Sequence, residues 1–322
     1  MAYHVLWRSR FGSDVATELQ DRLGGAITLT IETDKDALAS LLPSVDILID
    51  GNPDAAMLDG ERLKHVVIPY AGVNPDLREA IKQRPHLTLH NSHFNAAFVA
   101  QHAVALMLAA TNRIVTADAA LRRGDWRPRY DAAFTSMSLM GKRCLLLGYG
   151  AIGKELEPRI TALGMSVDVL RRQPQAGEYG PDQLLEALGA ADVVMVSLPA
   201  TPETEGMLGD TAFAAVKPGA VLVNVGRGAV IDPQALCDAL QAERLMAAAL
   251  DVWWQYPQDK KARAHTYPAE MSLHELPNLV LSPHRANHVD DEMPALLGDI
   301  EKTLRALVDG EMRNQVDVAR GY

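Results

Sequence analysis

The chain has 322 residues, enough for two compact domains, and its 48% hydrophobic and 22% charged residues are ordinary for a globular protein. With 31 basic against 41 acidic residues the formal charge is −10, which excludes the basic footprint of a nucleic-acid binder, and no Lys/Arg cluster marks a membrane surface. The two cysteines, Cys144 and Cys237, lack metal-ligand spacing and read as small buried hydrophobes in a reducing compartment. No metal is expected. The opening Met-Ala-Tyr-His-Val-Leu-Trp-Arg has no signal-type apolar core, and the most apolar helical run, residues 103–110, is too short to span a bilayer. A cytoplasmic location is the expectation.

Short apolar runs alternate with helical patterns throughout, which predicts parallel sheets in an α/β architecture. Strands are predicted at residues 4–7, 27–31, 46–49, 65–68 and 86–89, followed by a long Ala-rich helix over 92–111. The Arg-rich stretch 121–128 reads as a surface link into a second unit. That unit has predicted strands at 143–147, 166–170, 192–198, 220–225, 247–250 and 279–281. In the tail, 289–308, Leu296, Leu297, Ile300, Leu304 and Leu307 recur at helical spacing. Too short for a domain of its own, it is expected to return to the first unit.

The apolar run 143–147 ends in Gly148-Tyr149-Gly150-Ala151-Ile152-Gly153 and an amphipathic segment. Strand, Gly-x-Gly-x-x-Gly and helix are the order a dinucleotide-binding turn needs. Gly148 makes the tight turn, Gly150 lets backbone approach a pyrophosphate, and Gly153 lets helix and strand pack closely. Pro158 falls inside this helix, past its first turn, and is expected to kink it.

In open α/β sheets ligands sit beyond the carboxyl ends of the strands. Three polar residues fall there. Arg227, between Gly226 and Gly228, presents a fork suited to a carboxylate, or else pairs with a surface acid. His284, after Ser282-Pro283, is a general acid/base or a capping or core histidine. Asp251 binds an amide or caps a turn. Together they suit reduction of a 2-oxo acid: Arg227 holds the carboxylate and polarises the carbonyl, and His284 donates the proton.

With these pieces placed, the sequence resembles the D-isomer-specific 2-hydroxyacid dehydrogenases over nearly its whole length. The matching segments are Asn95-Ala96-Ala97-Phe98-Val99-Ala100-Gln101-His102-Ala103, the glycine turn, Ser197-Leu198-Pro199-Ala200-Thr201-Pro202-Glu203-Thr204, Val223-Asn224-Val225-Gly226-Arg227-Gly228, Ala249-Leu250-Asp251-Val252 and Leu281-Ser282-Pro283-His284. The resemblance implies two Rossmann/flavodoxin-like parallel-sheet domains, with the C-terminal helix returning to the first. Residues 1–94 plus 286–322 would form the substrate domain, and 95–285 the dinucleotide-binding domain. It implies a homodimer, and cofactor contacts at Ala151, Ile152, Leu198, Pro199, Thr204, Val225, Gly226, Arg227, Asp251 and His284. The segment Tyr70-Ala71-Gly72-Val73 resembles the loop whose amides meet the substrate carboxylate.

Two departures from the family pattern carry information. NAD-binding folds usually place an acid about 20 residues past the glycines, on the ribose hydroxyl. Here that position is Arg171, followed by Arg172. Two guanidiniums attract a 2′-phosphate, so NADP(H) is favoured, with NAD(H) the alternative. The family's acid in Asp-Val-x-x-x-Glu-Pro is replaced by Tyr256, so His284 loses a group that raises its pKa. Tyr256 is then expected against His284, orienting it by a hydrogen bond; Gln255, Glu270 or Glu275 are alternatives. Trp253 and Trp254 form a substrate wall or pack in the core.

The leading reading is an NADP(H)-dependent oxidoreductase of small 2-oxo acids and their D-2-hydroxy acids, with glyoxylate and hydroxypyruvate as examples. The alternatives are a dehydrogenase of the same fold acting on another small anion, as formate and phosphite dehydrogenases do, and a dinucleotide-sensing binding protein.

Overall fold

Residues 2–9 and 13–320 are described by the structure, a computed structural model; Met1, Arg10, Phe11, Gly12, Gly321 and Tyr322 lie outside it. The chain divides into two units, Met1–Asn95 with Asp290–Tyr322, and Ala96–Val289. The Arg-rich stretch 121–128 therefore lies inside the second unit rather than leading into it. A helix not foreseen there, Ile114–Leu121, precedes it.

In the first unit the strands are β1 (Tyr3–Trp7), β2 (Ile27–Ile31), β3 (Ile47–Ile49), β4 (His65–Val67) and β5 (Thr88–His90). They pair in parallel in the order β2-β1-β3-β4-β5, the flavodoxin-like arrangement. β5 begins two residues later than expected because a turn closed by Leu87 N–H on Arg84 O, 2.9 Å, consumes the start of the predicted strand. Alternate side chains feed opposite faces. Leu6, Leu48, Val66 and Leu89 enter one core, and Val5, Trp7, Ile47, Ile49 and Val67 the other. That second core is covered by the returning helix Glu292–Val308 through Leu296, Leu297, Ile300, Leu304 and Leu307.

The second unit holds β6 (Arg143–Leu147), β7 (Ser166–Leu170), β8 (Val193–Val196), β9 (Ala220–Asn224), β10 (Leu245–Leu250) and β11 (Leu279–Leu281). They are parallel, in the order β11-β10-β9-β8-β6-β7. Next to β7 a further parallel bridge forms, Leu170 with Tyr179. Buried on both faces, these strands are continuously apolar. Leu145, Leu147, Val194, Val196 and Leu222 face one core; Cys144, Leu146, Val193, Met195 and Val221 face the other. Both cysteines are free and buried. The Ala-rich helix starts at Ala96 and buries Val99, Ala103, Leu106 and Met107 in the second core. Among the described residues no single helix is long and apolar enough to cross a membrane. This helix and Ile114–Leu121 pass that test only together, bent by 61°.

The order reverses between β6 and β8, since the chain leaves β6 for β7 and then returns to the other side. Such a switch point opens a crevice at the strand ends.

Candidate active site

The glycine turn sits at that crevice. Gly148, at φ 96°, is in the left-handed region that favours glycine, and a Cβ there would lie 3.1 Å from Leu198 and 3.2 Å from the Ser197 hydroxyl. A Cβ on Gly153 would lie 2.6 Å from the Gly148 carbonyl oxygen, so the helix can pack this close only with glycine. Gly150, in contrast, faces open space. It caps the helix Ala151–Ala162, which continues through Pro158. The first intrahelical bond shown at this end is Lys154 N–H to Gly150 O, 3.1 Å. The amides of Ala151, Ile152 and Gly153 precede it and are left for an anion. A tight turn, an open middle glycine and unspent amides fit a dinucleotide pyrophosphate.

Three strand-end loops are bolted together beside this turn. A Cβ on Gly226 would lie 2.5 Å from Leu198 O, and one on Gly228 would lie 2.4 Å from Trp253 O. The loops after β8, β9 and β10 therefore touch backbone to backbone, with Arg227 between. Buried Asn224 fixes the turn: its Oδ1 accepts from Gly226 N–H at 2.9 Å and its Nδ2 donates to Arg227 O at 3.0 Å. Arg227 is exposed and donates from Nη1 to Gly226 O, 2.8 Å. Among the described residues it makes no ion pair, so the surface-acid alternative is not what the structure holds. Asn224 stood in a matched segment without a role assigned from sequence; a polar residue closing an apolar strand was the available signal.

His284 occupies φ 54°, strained for a residue with a Cβ. Asp251 holds it there. This carboxylate is buried; its Oδ1 accepts from the Ser282 hydroxyl and, at 2.9 Å, from Arg285 N–H, and its Oδ2 accepts from Ala286 N–H at 3.0 Å. The Ser282 oxygen also meets His102 Nε2 at 2.8 Å. Burial alone would raise the Asp251 pKa. The hydrogen bonds from His102, Ser282 and the two amides outweigh it, and the pKa lies below the usual carboxylate value. Of its two sequence-based alternatives, Asp251 thus caps a turn, the one that bears His284. His102 and Ser282 were quoted in matched segments but given no role from sequence; a histidine in a largely apolar helix was the clue.

The Tyr256 and His284 rings lie 5.5 Å apart, tilted by 54°. The Tyr256 hydroxyl oxygen accepts from Trp253 N–H at 3.1 Å; toward His284 the contact among the described residues is ring to ring, not the hydrogen bond expected. His284 is solvent-exposed by surface area, yet the protein atoms near its ring disfavour the charged form and lower its pKa below the ordinary histidine value. Asp251 opposes this; Arg227 and His288 reinforce it. Neither alternative acid reaches it: Glu275 lies 4.0 Å from His274, and Glu270 is exposed. The Gln255 backbone N–H donates to Pro268 O, 3.0 Å. Trp253 is buried, with Nε1 donating to Ser282 O, and Trp254 donates to Ile231 O. Both indoles are core packing rather than an open wall.

Of the remaining assigned positions, Val225 is buried and Leu198 packs on Gly148 and Gly226. Thr204 donates to Pro199 O at 2.6 Å and accepts from Thr201 N–H, so its hydroxyl braces its own loop. Arg171 donates from Nε to Glu178 at 2.6 Å. Arg172 is exposed, and its charge reaches Glu203.

In the first unit, Tyr70 donates to Gly51 O at 2.5 Å, and the Tyr70 and Ala71 carbonyls accept from Ser92 N–H and Asn91 Nδ2. The amides of Ala71, Gly72 and Val73 donate to no acceptor among the described residues. Their orientation is set by carbonyls that are already tied.

The glycine turn, Arg227 and His284 thus stand on strand-end loops of one parallel sheet, at and beside its switch point. The family described as "D-isomer specific 2-hydroxyacid dehydrogenase, NAD binding domain" matches residues 104–286. The chain belongs to the D-isomer specific 2-hydroxyacid dehydrogenases. It is 31% identical over 276 residues to the glyoxylate reductase of Thermococcus litoralis, covering 82% of this chain and 80% of that protein. It is 32% identical over 290 residues to the D-3-phosphoglycerate dehydrogenase of Mycobacterium tuberculosis H37Rv, covering 86% of this chain but 52% of that one, so it spans about half the length of such relatives. A probable 2-hydroxyacid dehydrogenase from Rhizobium etli CFN 42, solved with NADP, HEPES and L(+)-tartaric acid, superposes with TM-score 0.78 at 20% identity, covering 100% of both chains. At that identity the likeness speaks for the fold.

Proposed function

We propose that this protein is an NADP(H)-dependent oxidoreductase that interconverts a small 2-oxo acid and its D-2-hydroxy acid. The observation that carries the reading is the placement of unpaired Arg227 and strained His284 on strand-end loops of the sheet that bears the glycine turn. When bound, the nicotinamide dinucleotide supplies or accepts the hydride. Arg227 binds the substrate carboxylate and polarises the carbonyl, stabilising negative charge as it develops on oxygen. His284 gives that oxygen its proton and takes it back in oxidation. Tyr256 is assigned to hold the His284 ring by contact. The untied amides of Ala71, Gly72 and Val73 support that loop as a further carboxylate contact. Gly148, Gly150, Ala151, Ile152 and Gly153 are assigned to the pyrophosphate, Arg171 and Arg172 to a 2′-phosphate. Residues 1–94 plus 286–322 are read as the substrate domain and 95–285 as the cofactor domain.

A homodimer and a cytoplasmic location belong to the same reading. Ile114, Val115, Leu121, Trp126 and Tyr130 stand exposed on the second unit, apolar surface of the kind a second copy would cover. The free cysteines support a reducing compartment. One observation favours a second reading: with Tyr256 in the acid's place, a different small anion is the alternative substrate, or binding without turnover.

Initial rates of NADPH and NADH oxidation with 2-oxo acids from glyoxylate to phenylpyruvate test the proposal. Turnover is expected with NADPH ahead of NADH; cofactor binding without turnover on any acid would remove the 2-oxo-acid reading. The pH profile provides a sharper check. Reduction needs protonated His284, whose pKa is lowered, so the rate should fall as pH rises through a value below 6.5. Tyr256→Glu, which restores a carboxylate beside the imidazole, should move that limb to higher pH. A limb that stays in place would separate His284 from position 256.

A further inference from the structure

Arg171 does not stand alone at the end of β7. Its neighbour Leu170 accepts from Gly148 N–H at 3.0 Å, so this strand end is bonded directly to the glycine turn. Its guanidinium carbon lies 5.8 Å from the centre of the Tyr149 ring, inside that turn. The chain then loops out and returns as a strap, tied by Tyr179 N–H to Val169 O and Arg171 N–H to Tyr179 O, 2.8 and 3.1 Å. Glu178 sits in the strap. One oxygen, Oε2, accepts from both Arg171 Nε and Gln175 N–H, each at 2.6 Å. The two side chains are 25% and 17% exposed, so solvent screens the pair only in part. The Gln175 amide, against partial burial and with help from Arg171, holds the Glu178 carboxyl below the usual range. Glu178 is therefore a full negative charge at neutral pH.

We infer that Glu178 is a specificity-determining residue that restrains the preference for NADP(H), by engaging the Arg171 guanidinium on which a cofactor 2′-phosphate would bind. The inference rests on the assignment of Arg171 to the 2′-phosphate. A guanidinium has five N–H donors, and Glu178 takes the Nε edge; the Nη groups hydrogen-bond to nothing among the described residues. A phosphate on the Nη groups shares the arginine with a carboxylate, and two like charges on one cation oppose each other. A ribose hydroxyl carries no charge and suffers no such penalty. Glu178 thus weakens the phosphorylated cofactor selectively and keeps the unphosphorylated one in play.

Calorimetric titration of NADPH and NADH into the whole protein tests this without turnover. Glu178→Gln retains an acceptor for Arg171 and Gln175 but removes the charge. It is expected to raise the ratio of the NADH to the NADPH dissociation constant about tenfold, the scale of one partly screened charge contact. Glu178→Asp, which keeps the charge, should leave the ratio within about twofold. In an Arg171→Gln background, Glu178→Gln should have no further effect. An unchanged ratio in Glu178→Gln overturns the inference. So does an equal change in Glu178→Asp, the mark of a disrupted strap, or a full effect without Arg171. A wild type that prefers NADH would overturn the NADP(H) preference in the proposed function but not this inference, which concerns the change in ratio.

Discussion

Arg227→Ala is expected to lower kcat/KM for 2-oxo-acid reduction about a thousandfold, the cost of losing a preorganised donor to developing negative charge. The cofactor dissociation constant should move by less than about threefold, because the glycine turn is built without Arg227. Three features make the expectation strong. The guanidinium is exposed and in no ion pair among the described residues, its only hydrogen bond going to Gly226 O. The turn that presents it is fixed by Asn224, whose two bonds use Gly226 N–H and Arg227 O, backbone atoms that survive the substitution. Gly226 and Gly228 then seat that turn on Leu198 and Trp253. The loop should keep its place while the charge disappears. Initial rates at saturating cofactor, with calorimetry for binding, give both numbers. Turnover within about tenfold of wild type would take Arg227 out of the chemistry and favour a binding role.

Acid should destabilise the first unit through a histidine remote from that chemistry. His65 is 8% exposed, and burial, with His90 and Lys64 adding to it and Asp46 opposing, lowers its pKa to about 4 from 6.5. Its contacts dictate a neutral tautomer. His90 Nδ1 lies 2.8 Å from Arg313 O, an acceptor, so that nitrogen carries a proton. Neutral His90 then accepts at Nε2 from the Thr88 hydroxyl, 2.7 Å, and the same hydroxyl oxygen accepts from His65 Nδ1–H, 2.7 Å. The unfolded chain binds a proton at His65 near pH 6.5, the folded chain only near 4. The full contribution is therefore present above pH 6.5 and is lost as pH falls from there through 4, about 3 kcal/mol in all. Denaturant midpoints across that window, with hydrogen exchange of β4 and β5 amides to locate the loss, provide the measurement. His65→Asn should flatten the slope; an unchanged slope would assign the acid sensitivity to other groups.

Periodicity was enough to read both sheets, since parallel strands buried on two faces are written as continuous apolar runs. The glycine turn was legible because each glycine answers a local demand: a left-handed φ at Gly148, open space at Gly150, a close carbonyl at Gly153. What sequence could not supply was the traffic between distant segments. Asp251 was open to two uses until residues 282–286 were seen folding over it. The arginines at 171 and 172 read as two positive charges, but Glu178 returns to one of them across a loop. Tyr256 reached His284 as expected, yet through its ring, while its hydroxyl oxygen accepts from Trp253 N–H three residues away. Side-chain type gives chemical capacity; which partner consumes it is decided by the fold.

The backbone of His284 has a consequence for reading other sequences. At φ 54° the residue at this position sits in the left-handed region, which asparagine and glycine enter most readily. A relative that had abandoned proton transfer but kept the loop would carry Asn or Gly at this position and retain the counterpart of Asp251. The two positions together are then a genomic signature, separating retired members of the family from working ones before any protein is made.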